Sequence, residues 1–459
     1  MSSEFRLSIH GQWSGRLAFF LAATGSAVGL GNIWKFPYIT GENGGGAFVI
    51  VYLICIAIIG VPIMMAEIML GRRGRLSPIN TMALLTSEDN RHKIWRAIGW
   101  MGAIAGLIIL SYYSVIAGWA MAYVVRMASG VFLASTTDGV NGIFTALTAD
   151  PERLLAWHTI FMLLTTMIVA RGVQHGLERA VRYLMPLLFV MLLILVGYAT
   201  STGAFLQGVN YLFSADFSKL STESVVVAMG HAFFTLSLGM GAIMAYGAYL
   251  PKDVSIAKTS FAIAAADTLV ALLAGMAIFP IVFANALEPA AGPGLIFQTL
   301  PIAFGQMDAG TLFGTVFFVL LVFAALTSAI SLIEPMVAWL VENKNVTRIQ
   351  AAVYMGLAAW VLGIGSILSF NVWSNVTWSI PGLFKDLTIF DTLDGLTANI
   401  MLPLGGLFIA IFAGHLMAEH KVKDEIQTHP TLYKVWFYLI RYVTPLLVII
   451  VFLNLIKLI

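Results

Sequence analysis

Hydrophobic residues run along this chain in long blocks separated by short polar stretches. Eleven of these blocks approach or exceed the roughly 20 residues with which an α-helix crosses a bilayer. The predicted spans are 17–40, 44–71, 97–128, 154–171, 176–199, 224–249, 256–284, 309–340, 348–369, 393–415 and 433–457. The pattern therefore predicts an all-α polytopic membrane protein.

Two of the predicted helices are interrupted at their centres by glycine and small polar residues. Span 1 reads LAFFLAATGSAVGLGNIWKFPYIT, in which Gly25, Gly29 and Gly31 cluster at the middle. Span 6 contains FFTLSLGMGAIMAYGAY, with Gly239 and Gly241 at mid-span. Backbone polar groups freed by such breaks cannot face hydrocarbon, so we expect both breaks to line a cavity or to bind a ligand.

The two breaks divide the chain into two halves of five spans, with an eleventh span appended. An odd number of spans in each half gives the halves opposite orientations in the membrane, which predicts a 5+5 inverted repeat. The predicted parts are a cytoplasmic N-terminal segment, a first repeat, an external loop, a second repeat, and a cytoplasmic loop with the eleventh helix. Their ranges are 1–16, 17–199, 200–223, 224–415 and 416–459.

Composition and charge fix the class and the orientation. Hydrophobic residues make up 59% of the chain and charged residues only 10%, against about 25% charged residues in soluble domains. If the N-terminus is inside, 19 of the 25 Lys and Arg residues fall in cytoplasmic segments. The positive-inside rule then predicts a multi-pass inner-membrane protein with a cytoplasmic N-terminus and an external C-terminus.

Three segments outside the spans carry expectations of their own. Segments 129–153 and 200–223 are rich in Thr, Ser, Asp and Asn, which favours loops or short surface helices. Segment 285–308 is too interrupted to span a bilayer, and its apolar content suggests a short re-entrant cap over a cavity.

Three motifs resemble one transporter family. GSAVGLGNIWKFPY followed by ENGGGAF (25–48) resembles the first-helix signature of the neurotransmitter:sodium symporter family. FFTLSLGMGAIMAYGAY (233–249) resembles its sixth helix, and LTSAISLIEPM (326–336) its eighth. The resemblance implies a LeuT-like fold with discontinuous helices 1 and 6. Because the general rule that ligands bind at paired helix breaks was itself drawn partly from this family, the helix breaks and the motifs are not independent evidence. Many relatives have twelve spans, and eleven here suggest a monomer or weak dimer.

The resemblance implies two sodium sites built from carbonyl, hydroxyl and carboxylate oxygens. The site called Na2 is expected on Gly25, Val28, Ala324, Thr327 and Ser328. The site called Na1 is expected on Ala27, Asn32, Thr235, Asp267 and the substrate carboxylate.

Asp267 stands where many relatives have Asn. An ionisable residue at mid-membrane is costly and by default functional, although a protonated or paired structural Asp is the alternative. Animal relatives bind chloride near this position, and Asp267 would supply that charge permanently, which predicts chloride-independent transport. His231, near Tyr52, stands where relatives commonly have Gln. A His231–Asp267 pair that carries a proton on the empty return step would give proton antiport; a hydrogen-bonded buried histidine is the alternative.

The substrate site is expected at the first break. The second half of span 1 restarts near Leu30 and Gly31, where a helix N-terminus favours a carboxylate, and Tyr113 matches the family's carboxylate-binding tyrosine. Relatives that carry monoamines have Asp in place of Gly29, so an α-amino acid is predicted. Its ammonium group is expected near Ala27, Phe234, Thr235 and Ser237.

The side-chain pocket is expected to be apolar and uncharged. Its predicted lining is Ser26, Ile109, Phe234, Met240, Ser328 and Leu332. Gly239-Met240-Gly241 replaces a Gly-Phe-Gly of relatives that favour small aliphatic amino acids, and Gly241 is also expected to contact the substrate. Methionine is flexible and packs well against aromatic rings, so larger hydrophobic or aromatic amino acids are predicted, although a Met at helical spacing is often ordinary core.

Two gates follow from the same resemblance. The outer gate pairs Lys35 with Asp394 and uses Phe234 as a lid; Lys cannot form the two-pronged contact of Arg with a carboxylate. The inner gate is expected on Trp13, Tyr249, Glu342 and His10, where His10 replaces the usual Arg unless Arg6 substitutes. Glu67 is expected to support the first-helix break. The fifth span is expected to unwind between Gly176 and Pro186, or simply to bend there.

These expectations describe a sodium-coupled symporter that imports hydrophobic or aromatic L-amino acids by alternating access. Spans 1, 2, 6 and 7 would move against spans 3, 4, 8 and 9. One alternative is a carrier of another zwitterion or amine, such as a betaine, a choline-like cation or a β- or γ-amino acid. A membrane-embedded enzyme is disfavoured because the eight histidines are scattered without metal-ligand spacing. A substrate-gated channel or sensor also stays open, and nucleic acid is not an expected partner.

Overall fold

The computed structural model of the protein describes residues 8–289, 294–380 and 384–455. Arg6, the alternative inner-gate residue, lies outside this part of the chain, as do the last residues of the predicted eleventh span.

Helices occupy all eleven predicted spans. Within the described ranges, nine helices are long and apolar enough to cross a membrane: Gly46–Gly74, Lys93–Ala128, Pro151–Ala170, Val173–Thr200, Ile256–Ala284, Gly310–Asn343, Arg348–Ser369, Ile389–Leu416 and Pro430–Asn454. The first span is a pair of helices, Arg16–Ala27 and Gly31–Glu42, bent by 48°. The sixth span is also a pair, Thr222–Thr235 and Ala242–Ala248. The predicted all-α polytopic fold is confirmed.

The first break follows from the space around Gly29. The helix ends at Ala27, and Val28 has an extended conformation with φ −69° and ψ 107°. A Cβ atom at Gly29 would lie 2.4 Å from Ser328 Oγ and 2.9 Å from Tyr113 Oη. The first span therefore approaches spans 3 and 8 so closely that only glycine fits at this position.

The second break follows from left-handed backbone. Ser237, Gly239 and Gly241 have φ values of 54°, 78° and 75°. A Cβ atom at Gly239 would also meet the carbonyl oxygen of Leu402 at 2.3 Å. Positive φ together with a close backbone approach requires glycine there.

Glu67 supports the second break rather than the first, contrary to the sequence prediction. Its Oε1 accepts a hydrogen bond of 2.7 Å from the amide N–H of Gly239. The physical reason is packing: helix Val61–Gly74, which carries Glu67, lies against Ala242–Ala248 of the sixth span.

The fifth span is helical throughout in this conformation. Val173–Glu178 forms a π-helical turn that continues into Arg179–Thr200, and Pro186 lies inside that helix. The predicted unwinding between Gly176 and Pro186 is therefore not present in this state.

Short elements cap the bundle. Helices Thr137–Thr148 and Phe205–Phe213 form in the two segments predicted as loops or surface helices. The predicted re-entrant cap contains Leu295–Thr299 and Leu300–Gln306. A feature not predicted is an antiparallel hairpin of Trp378–Ile380 and Phe384–Leu387 between spans 9 and 10. The remaining described helices are Pro78–Glu88, Phe217–Lys219 and Glu419–Ile426.

Candidate functional site

A small cavity lies where the two helix breaks meet. It is lined by Ser26, Ala27, Gly29, Leu30, Gly31, Ile109, Tyr113, Phe234, Thr235, Ser237, Met240, Ser328 and Leu332. Twelve of the thirteen predicted substrate residues are in this lining. The exception is Gly241, where a Cβ atom would instead meet Pro78 at 3.2 Å. The cavity has a volume of about 20 Å³, which leaves room for about one water molecule. The site is therefore contracted in this conformation and must widen before an amino acid can bind.

One end of the cavity is polar because of the first break. The amide N–H of Leu30 donates to Tyr113 Oη at 3.1 Å. The second half-helix of span 1 begins here, and its N-terminus carries the positive end of the helix dipole. Tyr113 is 4% exposed. A carboxylate placed beside it would meet a hydroxyl donor and favourable backbone dipoles.

The predicted Na1 residues converge on Asp267, which is fully buried. Asn32 Nδ2 donates to Asp267 Oδ1 at 2.8 Å, and Thr235 Oγ1 lies 3.1 Å from each carboxylate oxygen of Asp267. Asn32 Oδ1 in turn accepts from the amide N–H of Gly29 at 3.0 Å. Oxygen atoms from spans 1, 6 and 7 are therefore gathered beside the polar end of the cavity, with Ala27 in its wall.

The predicted Na2 residues also come together. Ser328 Oγ lies 3.5 Å from the carbonyl oxygen of Gly25 and 3.3 Å from that of Val28. Thr327 Oγ1 lies 3.0 Å from the carbonyl oxygen of Ala324. A Cβ atom at Gly25 would lie 3.3 Å from Thr327 Cβ, so the two groups of oxygen atoms lie on facing parts of spans 1 and 8. Carbonyl and hydroxyl oxygens are ligands that suit a hard cation.

His231 and Asp267 do not form the predicted pair. His231 is buried, and neither of its ring nitrogens has a hydrogen-bond partner among the described residues. Its ring stacks on Phe36 at 5.9 Å and lies 5.3 Å from the ring of Tyr52. Tyr52 Oη reaches Asp267 Oδ2 at 3.5 Å. Tyr52 therefore contacts both residues, and the carboxylate is satisfied by Asn32 and Thr235 instead.

The predicted inner-gate residues form a closed cluster below the cavity. His10 Nε2 lies 3.0 Å from Glu342 Oε1. Glu342 also accepts from the amide N–H and hydroxyl of Ser77 at 2.6 and 2.5 Å, and from Asn80 at 2.7 Å. Trp13 Nε1 donates to the carbonyl of Tyr246 at 3.0 Å, and its ring packs 6.0 Å from that of Tyr249. The N-terminal segment is thus bound to spans 6 and 8, and Glu342 also joins span 8 to the start of helix Pro78–Glu88.

A larger cavity, with a volume of about 370 Å³, lies on the other side of Phe234. Phe234, Leu30 and Tyr113 line both cavities. Lys35 Nζ lies 3.9 Å from Asp394 Oδ2 and 5.0 Å from the ring centre of Phe234. The first distance is too long for a direct hydrogen bond, so the Lys35–Asp394 contact is loose, whereas the cluster around Glu342 is held by hydrogen bonds of 3.0 Å or less.

This geometry agrees with one family in known proteins. The model of the sodium:neurotransmitter symporter family matches residues 10–134 and 147–459. The chain belongs to this family. It is 38% identical over 449 residues to a sodium-dependent transporter, YhdH, of Bacillus subtilis, with 97% of each chain covered. It is 35% identical over 451 residues to a sodium-dependent transporter of Haemophilus influenzae, covering 96% of this chain and 97% of that one.

A solved structure supports the same assignment. The crystal structure of MhsT in complex with L-phenylalanine has a TM-score of 0.89 and 43% identity, over 97% of this chain and 99% of that chain. The protein is therefore a sodium-coupled symporter of this family with a LeuT-like fold, a polytopic membrane protein with a small-molecule substrate, and not an enzyme. The resemblance found in the three motifs is confirmed.

Sequence reasoning missed two ionic clusters in this symporter, each built on a buried glutamate. Glu334 in span 8 pairs with Arg348 at 2.5 Å and accepts from Tyr249 Oη at 2.7 Å. Glu178 at the start of span 5 accepts from the amide N–H of Ser14 at 3.0 Å and pairs with Arg182. Glu334 lies inside the motif LTSAISLIEPM, and a glutamate within an apolar span was a signal that could have identified it.

Proposed function

We propose that the symporter imports bulky hydrophobic and aromatic L-amino acids with two sodium ions. The observation that carries this proposal is the polarity of the cavity. Asn32, Thr235 and Asp267 lie at one end, and Ile109, Met240 and Leu332 line the other. An α-amino acid has the matching division between a zwitterionic head and an apolar side chain.

The carboxylate of the substrate would lie between Tyr113 and the Na1 site, so that the substrate and the ion share a contact. No charged side chain lines the cavity, so the substrate carboxylate would be the anionic ligand that reaches Na1 from the cavity, in addition to the carboxylate of Asp267. The crowding around Gly29 also favours a substrate that brings its own carboxylate. The Ser328 and Tyr113 oxygens lie so close to Gly29 that an Asp side chain would not fit there. A substrate that is only an amine would find no counter-charge there.

The contracted volume bears on the size of the substrate. Met240 and Phe234 face the cavity and are the side chains whose movement enlarges it. Methionine has three rotatable bonds and adapts to irregular shapes, which favours large side chains. MhsT was crystallised with L-phenylalanine, and this supports the same substrate class here.

The ion chemistry follows from Asp267. Its carboxylate lies where it provides a fixed negative charge beside Na1, so transport is proposed to be independent of chloride. Because His231 makes no hydrogen bond to it, Asp267 itself is the group proposed to bind a proton on the empty return step.

The proposed membrane is the inner membrane, with the N-terminus in the cytoplasm. The five-helix halves 17–199 and 224–415 are proposed to form the inverted repeats, and the protein is proposed to be a monomer or weak dimer.

Uptake into proteoliposomes tests the proposal. An inward sodium gradient should drive concentrative uptake of labelled Trp or Leu, with competition from Phe and Tyr and little from Gly, Ala, betaine or choline. Equal uptake in sodium chloride and sodium gluconate is expected, together with stimulation by an acidic lumen. Sodium-dependent uptake that only betaine or a choline-like cation competes with would contradict the substrate class while keeping the ion sites.

A further inference from the structure

Two serine hydroxyls form a directed chain behind the wall of the central cavity. Ser26 Oγ and Ser331 Oγ are 2.7 Å apart, and Ser331 Oγ is 2.8 Å from the carbonyl oxygen of Ser328. A carbonyl oxygen only accepts hydrogen bonds, so the hydrogen of Ser331 is used on Ser328. The hydrogen between the two serines must then come from Ser26. We call this arrangement the serine relay.

The serine relay fixes how Ser26 faces the cavity. Ser26 belongs to the cavity lining, whereas Ser331 does not and is fully buried behind it. The hydroxyl hydrogen of Ser26 points away from the cavity toward Ser331. Its oxygen has two lone pairs, and among the described residues no hydrogen bond donates to it. Ser26 therefore offers the cavity an acceptor and no donor.

The other serine and threonine hydroxyls of the cavity lining have different hydrogen-bond partners. Thr235 donates to the carboxylate of Asp267, and Ser237 donates to the carbonyl of Ser26 at 2.8 Å. Ser328 Oγ lies 3.2, 3.3 and 3.5 Å from the carbonyl oxygens of Ser26, Val28 and Gly25. Each of these oxygens keeps lone pairs that can accept, but Thr235 and Ser328 belong to the proposed ion sites and Ser237 to the expected ammonium site. Ser26 is therefore the hydroxyl left to accept from the substrate side chain.

We propose that Ser26 is a specificity-determining residue that accepts a hydrogen bond from the tip of the substrate side chain. The favoured substrates are then aromatic amino acids that carry a donor, as the phenol of tyrosine and the indole N–H of tryptophan do. Ser331 is the positioning residue that keeps Ser26 in its acceptor state. The inference rests on the proposed function, since it assumes that the apolar part of the cavity holds an aromatic side chain.

The discrimination has a defined size. A buried acceptor that loses a donor, as happens when phenylalanine replaces tyrosine, weakens binding by roughly three- to tenfold. Tryptophan and benzothienylalanine form a second matched pair, since sulfur replaces the indole N–H at nearly constant shape. In a pyridylalanine, a nitrogen that accepts hydrogen bonds replaces one carbon of the phenylalanine ring. Because two acceptors that face each other repel, a pyridylalanine whose nitrogen faces the Ser26 oxygen should bind more weakly than phenylalanine.

The experiment measures inhibition constants of these amino acids against sodium-dependent Leu binding by purified protein. Ser26→Ala should bring each donor pair to about equal affinity. Ser331→Ala frees the hydrogen of Ser26 to turn into the cavity, so the pyridylalanines should gain several-fold relative to phenylalanine, and Ser331→Thr should restore the wild-type order. Ser114→Ala is the matched control, because Ser114 bonds only to carbonyls of its own helix and lies outside the cavity lining.

The outcomes separate this inference from the proposed function. If Phe and Tyr bind to the wild type with equal affinity, Ser26 accepts no hydrogen bond from the substrate side chain and the inference is overturned. The same holds if a tyrosine preference survives Ser26→Ala. If Ser26→Ala does not fold, the pyridylalanine ratio in Ser331→Ala decides: a gain supports the inference and an unchanged ratio overturns it. If no amino acid binds at all, the proposed function fails, and the inference fails with it.

Discussion

Replacing Asp267 by Asn is the sharpest test of the ion chemistry. The change keeps the size of the side chain and the oxygen that accepts from Asn32, but removes one negative charge from a fully buried position. A sodium ion held between Thr235 and Asp267 lies within about 3 Å of the carboxylate charge. At an effective dielectric constant of about 20, that attraction is of order 5 kcal/mol.

Part of this attraction is offset, because the amide oxygen still coordinates and the buried carboxylate has a desolvation cost. A net loss of about 1.4 to 3 kcal/mol leaves apparent sodium affinity weaker by roughly ten- to hundredfold. The measurement is a sodium titration of substrate binding or uptake, repeated with chloride and with gluconate. Chloride should partly restore the affinity of Asp267→Asn, because it replaces the lost charge, and should have no effect on the wild type.

The matched control is Asp89→Asn. Asp89 pairs with Lys421 at 2.5 Å outside the membrane spans and is not among the residues that line the cavity. Its variant should keep the wild-type sodium dependence. A sodium affinity of Asp267→Asn within twofold of the wild type would refute the assignment of Asp267 to Na1, and strong chloride stimulation of the wild type would refute the permanent-charge argument.

Three further predictions follow from the cavity and its gates. Gly29→Ala places a Cβ atom 2.4 Å from Ser328 Oγ, so it should cost about 1–3 kcal/mol in stability and abolish sodium-dependent binding, as thermal unfolding with and without sodium would show. Glu342→Gln removes the charge that His10, Ser77 and Asn80 contact, so a cysteine reporter at Trp13 should become labelled several-fold faster; an unchanged labelling rate would exclude Glu342 from holding this cluster closed. Met240→Phe fills the apolar end of the cavity, so the Trp-to-Leu ratio of inhibition constants should shift toward Leu; an unchanged ratio would exclude Met240 from size selection.

Much of the site could be predicted because helix breaks and motif residues are local features of the sequence. Gly29 and Gly239 mark the breaks, and each proves to sit against another span that leaves no room for a Cβ atom. The residues flanking those glycines then line the cavity almost as predicted. Local sequence was sufficient here because the breaks themselves create the site.

What the sequence did not reveal depends on which side chains meet across the fold. Glu67 was assigned to the wrong break, because only packing of span 2 against Ala242–Ala248 decides which amide it reaches. The direction of His231 was also hidden: its helix position left open whether it faced Asp267 or stacked on Phe36 and Tyr52. The hairpin after span 9 was missed because its strands are only three and four residues long.

Coupling between sodium and substrate has a structural basis in the segment around Ser26. The carbonyl of Ser26 lies 3.2 Å from Ser328 Oγ of span 8 and accepts from Ser237 Oγ of span 6. One residue beside the first break therefore contacts the Na2 hydroxyl through its backbone and the substrate cavity through its side chain. A sodium ion bound at the proposed Na2 site would draw Ser328 toward Gly25 and Val28 and fix this segment, and a substrate bound against Ser26 would fix the same segment. Because binding coupling is reciprocal, each should strengthen the other by the same factor, and loss of either should free the break that the gates must move.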